Sequence, residues 1–142
     1  MNRERIGLNF MRPDAGRPGN HDFVNSGEWL VSQFAELGVR WNRLAFSWSH
    51  IQRDRGRHDW APYDRVVEAS RKAGIGILAT LGGHFDRPPV PEWAGRTLAE
   101  VVEKHPGRLE AFVEAWVNRY QDRIRHWEML NEPRTFHKGL TV

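Results

Sequence analysis

Asn131 and Glu132, followed by Pro133, are a carboxamide and a carboxylic acid at the expected end of a strand, and taken alone Glu132 reads as an exposed turn residue before a proline. Arg43, His84 and Trp48 are residue types that hold a polyhydroxylated ligand, through guanidinium and imidazole donors and a flat apolar ring. Phe85, Trp93 and Phe136 add further rings near the same segments. Such a set binds a polyol and transfers a proton to or from it. His126 and Glu128 stand two residues apart, so a strand would turn both to one side. A metal-dependent reading would add His84, but no third ligand stands in register, and the expectation is no metal and no cofactor.

These residues need elements to bring them together, and the apolar pattern supplies alternating short strands and helices. Residues 6–10 read as the first strand. A helix starts at Asn25 or Ser26, carries Leu30, Phe34 and Leu37 on one face, and stops at Gly38. Residues 39–48 form the second strand. The next helix opens at Pro62, buries Tyr63, Val66, Val67 and Ser70, and stops at Gly74. Residues 75–81 are nearly all apolar, as in a parallel strand covered on both faces. Thr97 and Glu100 make a capping box for a short helix. A longer helix after Pro106 turns Leu109, Phe112, Val113, Trp116 and Tyr120 inward, with Trp29 packing from the first helix. The fourth strand covers residues 124–131, ending on the Asn-Glu pair.

Strand alternating with helix predicts an α/β protein built on a parallel sheet. No glycine-rich phosphate turn follows the first strand, which disfavours a doubly wound dinucleotide fold. Four strands are half of a (β/α)8 barrel, which runs to about 250 residues. In such a barrel Arg43, Trp48, His84, Asn131 and Glu132 lie at or near strand ends that face one mouth.

The composition narrows the partners. The chain has 142 residues, 39% hydrophobic, with seven Trp and no Cys. The lack of cysteine excludes disulfides, thiolate zinc ligands and a thiol nucleophile. Lys and Arg number 21 against 18 Asp and Glu, interspersed along the chain, so no basic stripe addresses nucleic acid. No run approaches the about 20 apolar residues of a membrane span. The first residues are charged and lack the apolar stretch of a signal peptide, which leans toward a cytoplasmic protein.

Residues 39–51, VRWNRLAFSWSHI, are followed by RGRHDW at 55–60 and YDRVV at 63–67. This succession resembles strand two and helix two of the retaining glycoside hydrolases of clan A. WEMLNEP at 127–133 resembles their strand-four signature. The cellulase-like family five and the β-xylosidase-like family thirty-nine share that layout. The resemblance covers about residues 5–134 and implies that residues 1–142 are the N-terminal half of a (β/α)8 catalytic domain. It implies a hydrolase of O-glycosidic bonds in β-linked oligo- or polysaccharides, with Glu132 as acid/base. Asn131 would meet the sugar's 2-hydroxyl, and Arg43 would lie under the site and favour an ionised carboxylate. His84 and Trp48 would contact substrate.

Retention requires a second carboxylate about 5–5.5 Å from the first. In the clan that nucleophile lies on strand seven, beyond residue 142, so the chain alone is expected to be inactive. Glu128 is expected to be a barrel-interior carboxylate paired with an arginine, and Arg43 fits that partner as well. The alternative is a non-catalytic half-barrel that binds carbohydrate or dimerises through its open edges.

Overall fold

The computed structural model describes residues 7–10, 22–82 and 89–129. Among the described residues nine elements follow one another: β1 (Gly7–Phe10), α1 (Asp22–Glu36), β2 (Trp41–Ser47), α2 (Trp48–Ile51), α3 (Ala61–Lys72), β3 (Gly76–Gly82), α4 (Leu98–Lys104), α5 (Pro106–Tyr120) and β4 (His126–Glu128). The four strands form one parallel sheet in sequence order, β1-β2-β3-β4. Strands that pair with their sequence neighbours through helical crossovers are the expected build of a barrel half.

The corners from α1 to β2 and from α3 to β3 are made the same way. Gly38 and Gly74 sit at φ 75° and 67°, a left-handed conformation that L side chains resist. At the first corner the Val39 amide donates to the Phe34 carbonyl at 2.9 Å and Gly38 to Ala35 at 3.0 Å. At the second, Ile75 donates to Ser70 at 2.9 Å and Gly74 to Arg71 at 3.2 Å. These paired bonds consume the last helical carbonyls and launch the strand at once. The helix starts are more varied. Thr97 Oγ1 accepts the Glu100 amide at 3.1 Å, as the capping box requires. Glu100 Oε2, however, accepts the Arg96 amide at 3.0 Å, one residue before the cap. Asp59 Oδ1 accepts the Ala61 amide at the start of α3.

Register sorts the strand residues onto two faces. Asn42, Leu44, Phe46, Ile77, Ala79 and Leu81 face the helices and are buried. Phe46 is the hub of this side: its ring lies 4.8 Å from Tyr63 of α3 and 5.1 and 5.2 Å from Trp116 and Tyr120 of α5. Fully burying each such ring contributes about 1.5–3 kcal/mol. Across the outside, Asp64 of α3 accepts bonds from Arg119 and from the Tyr120 hydroxyl, joining α3 to α5. Burial pushes the Asp64 carboxyl up, but the Arg119 and Tyr120 hydrogen bonds and the Arg119 and Arg123 charges outweigh it and hold it below its ordinary value.

The opposite, concave face is half-open. Trp41, Arg43, Ala45, Gly76, Leu78, His126 and Glu128 lie on it without being buried, whereas Thr80 on the same face is buried. The apolar run of β3 is therefore covered on one side and only partly on the other.

α1 and β2 depart from expectation. α1 begins at Asp22, three residues before Asn25, and buries Val31 and Phe34, while Leu37 is 72% exposed. Leu37 is past the helix end, in the turn that Gly38 completes, so the i+7 spacing no longer applies to it. Trp29 is 58% exposed instead of packed on the sheet, because Val31 and Phe34 define the inward stripe of α1. β2 ends at Ser47, not Trp48, because the Ser47 hydroxyl caps the single turn of α2.

Candidate active site

The C-terminal ends of the strands are where a parallel α/β sheet gathers its functional side chains. On the concave face, β2, β3 and β4 bring Arg43, Thr80 and Glu128 together. Arg43 Nε donates to Glu128 Oε2 at 2.8 Å and Arg43 Nη2 approaches the same oxygen at 2.7 Å. The Thr80 hydroxyl donates to that oxygen as well, at 2.8 Å. Thr80 and Glu128 are partners in the β3–β4 register, while Arg43 starts two residues lower on β2 and reaches up to them. One carboxylate oxygen thus accepts three donors from two neighbouring strands. Charge-assisted bonds of this kind are short and geometrically specific.

The pairing of Glu128 with Arg43 is the one the sequence leads one to expect. Thr80 was not legible as a member of the cluster. Its signal is a lone hydroxyl inside the apolar run of residues 75–81, but which side chain it meets depends on the β3–β4 register.

Below this cluster the concave face is aromatic. The Trp41 ring lies over Gly76, where an added Cβ would come within 2.7 Å of it. It then meets His126 edge-on at 4.9 Å. His126 and Glu128 are therefore both engaged, one with a ring and the other with Arg43 and Thr80. Among the described residues no three His, Cys, Asp or Glu side chains are grouped so as to hold a metal ion.

Trp48 corrects an expectation. It is 1% exposed, stacked on Phe112 at 5.3 Å and met edge-on by Trp93 at 6.0 Å. Its Nε1 donates to Gln52 Oε1 at 2.9 Å. Both the ring and its polar tip are spent inside the protein, so Trp48 offers no face to a sugar. Trp93 is anchored similarly, its Nε1 donating to the Gln52 carbonyl at 2.9 Å. The connection from β2 to α3 borders a half-open pocket of about 280 Å³, lined by His50, Arg53, Asp54, Arg57, Asp59 and Tyr63 among others. The Tyr63 hydroxyl accepts the Ser47 amide at 3.1 Å, which ties α3 to the end of β2. His58, on the same connection, stacks on Trp60 at 5.3 Å, and burial lowers its pKa below the ordinary imidazole value.

Asn131, Glu132, His84, Phe85 and Phe136 lie outside the described residues. Of the expected site set, the structure positions Arg43 in the concave face and Trp48 in the core.

Comparison with known proteins follows the same outline. A family model described as beta-galactosidase, glycoside hydrolase family 42, matches residues 25–114. Endo-1,4-beta-xylanase 1 of Gibberella zeae is 29% identical over 107 residues, covering 72% of this chain and 28% of that protein. Among solved structures, a psychrophilic beta-glucosidase, BglU, from Micrococcus antarcticus superposes with a TM-score of 0.64 at 24% identity, covering 79% of this chain and 24% of that one. Aphid myrosinase superposes over 100% of this chain and 37% of its own, with a TM-score of 0.75 at 15% identity. The chain spans about a quarter to a third of the length of these proteins. The structural likenesses show the fold: a parallel α/β unit shared with part of larger barrels.

Proposed function

The chain belongs to glycoside hydrolase family 42, described as beta-galactosidase, and from that premise we propose that it forms the first four strands of a (β/α)8 domain that hydrolyses β-linked glycosides with retention. The family match across residues 25–114 carries this reading. The four-stranded parallel sheet with a half-open concave face supports it. Glu132 serves as general acid, protonating the departing glycosidic oxygen, and then as general base toward the incoming water. Asn131 bonds the sugar's 2-hydroxyl, a contact that strengthens as positive charge develops at the anomeric carbon. Arg43 lies beneath, its guanidinium bonded to Glu128, and His84, two residues after β3 in the chain, contacts substrate. Trp48 has no part in binding, for the reason of its burial. The second carboxylate comes from complementary strands outside these four.

The test compares this chain with the longest polypeptide that its reading frame encodes, both assayed on β-galactosides, β-glucosides and β-xylosides. Hydrolysis by the longer polypeptide with retained anomeric configuration is the expected result. In it, Glu132→Ala should cut turnover of substrates with poor leaving groups by about 10²–10⁴-fold, the usual worth of general acid catalysis. Activated aryl glycosides, whose leaving group needs no proton, should be far less affected. Equal small losses on both classes would remove Glu132 from the role, and no hydrolysis of any of the three would overturn the reading.

A further inference from the structure

The connection from β2 to α3 is a loop tied at its neck. The Asp59 amide donates to the Ile51 carbonyl at 2.7 Å, which draws the two ends of residues 51–59 together. Gln52, beside that neck, is held twice, its side-chain oxygen by Trp48 Nε1 and its carbonyl by Trp93 Nε1, both at 2.9 Å. At the tip the Arg57 amide donates to the Asp54 carbonyl at 3.2 Å, around Gly56 at φ 80°. Compact loops closed in this way frequently carry binding sites. The half-open pocket of about 280 Å³ is lined by residues of the neck, of the tip and of the first turn of α3. Among the described residues its lining holds no strand residue, so it does not draw on the concave face.

Both signs of charge line this pocket. Arg53 and Arg57 supply guanidinium groups, Asp54 and Asp59 carboxylates. Among the described residues the Asp54 carboxylate and the Arg57 guanidinium form no ion pair and no side-chain hydrogen bond, although they border one turn. An anion entering here would meet two aspartates, and a cation would meet two arginines. A hydroxyl group both donates and accepts, so a neutral ligand with several hydroxyls satisfies carboxylate and guanidinium together through charge-assisted bonds. Ile51 and Pro62, both buried, add apolar lining against which ring carbons pack. The volume lies just under the about 300–1,000 Å³ of ordinary ligand pockets, room for one ring and not for a chain of them.

We propose that this pocket is a second, non-catalytic site that binds a single neutral monosaccharide, with Asp54 accepting from its hydroxyls and Arg57 donating to them. The site uses none of the residues given a part in hydrolysis, and it stands whether or not a larger domain cleaves glycosides. Its backbone is already tied before a ligand arrives, so binding costs little ordering of the loop. One side of the ring stays in water, which keeps the affinity weak, with a Kd of about 1–50 mM.

The experiment is nitrogen-15 NMR of this chain, titrated with D-galactose, D-glucose and D-xylose to about 100 mM each. At least one sugar should shift the backbone amides between His50 and Tyr63 in a saturable manner. Asp54→Asn and Arg57→Gln change exposed side chains and should each raise that Kd by at least about fivefold, with the rest of the spectrum unmoved. Added salt at about 0.5 M should alter it by less than about twofold, as befits an uncharged ligand. Glycine, titrated in parallel, should leave these amides in place. Saturable shifts from glycine and from none of the sugars would assign the pocket to a zwitterion and overturn the proposal. It is overturned equally by sugar shifts confined to the concave face, by a matching response to glycerol at the same hydroxyl concentration, or by a Kd that neither substitution moves.

Discussion

Two single residues show how burial decides what a side chain does. Trp48 stands just after a strand end, where a ring could stack on a sugar, yet its faces and its indole nitrogen are used internally. Trp48→Ala should therefore lower stability by about 3–5 kcal/mol, as large-to-small core changes do. Chemical denaturation measures this, and a loss under about 1 kcal/mol would contradict the packing role. His58 is a quieter case. Its ring stacks on Trp60 and Phe112, and burial holds its pKa below 6.5. The unfolded chain then binds this proton more readily than the folded one, so stability falls as pH drops from about 6.5 toward the folded value. Thermal midpoints recorded between pH 7 and 5 should decline in the wild type. In His58→Phe, which keeps the ring and removes the proton site, that part of the decline should vanish.

At the scale of elements, the recurring device is the glycine corner between helix and strand. Gly74 closes α3 at φ 67° with open space around its Cα, so an added methyl meets no atom and only the backbone objects. Gly74→Ala should cost about 1–2 kcal/mol, the usual penalty for a left-handed alanine. A change near zero in the denaturation midpoint would mean that the corner relaxes to another geometry. α3 and α5 are further joined by Asp64, Arg119 and Tyr120. The Asp64 carboxylate is about one-third exposed, so water screens its attraction to Arg119 and the pair adds at most about 1 kcal/mol. Its lowered pKa makes that contribution full above the ordinary carboxylate range and lost as pH falls through the folded value.

The whole molecule is asymmetric across its sheet. The convex side is a packed core of aromatic rings under three long helices, while the concave side carries Trp41, Arg43, Leu78 and Glu128 with partial access to water. The central strands β2 and β3 are bonded on both edges. Among the described residues β1 and β4 are paired on one edge only. Amide hydrogen exchange should accordingly be slowest in β2 and β3 and faster in β1 and β4. Uniform protection across all four would indicate that another surface covers the outer strands. The same asymmetry fits an eight-stranded barrel, in which further strands would cover the concave face with their own interior layers.

The sequence alone determined the order of strands and helices, the two glycine stops and the buried faces of α3 and α5. These follow from local rules: apolar spacing at 3.6 residues, and the freedom of glycine in left-handed backbone. It also carried the resemblance to glycoside hydrolases, because the strand-two and strand-four blocks are contiguous in the chain. The tertiary structure decided what depends on register and packing. The meeting of Thr80 with Glu128 requires β3 and β4 to pair as they do, and no spacing within either strand encodes it. The burial of Trp48 requires α5 to deliver Phe112 against it. Trp29 was misread because helical spacing marks a face without saying which face meets the sheet, and only docking against neighbouring elements selects it.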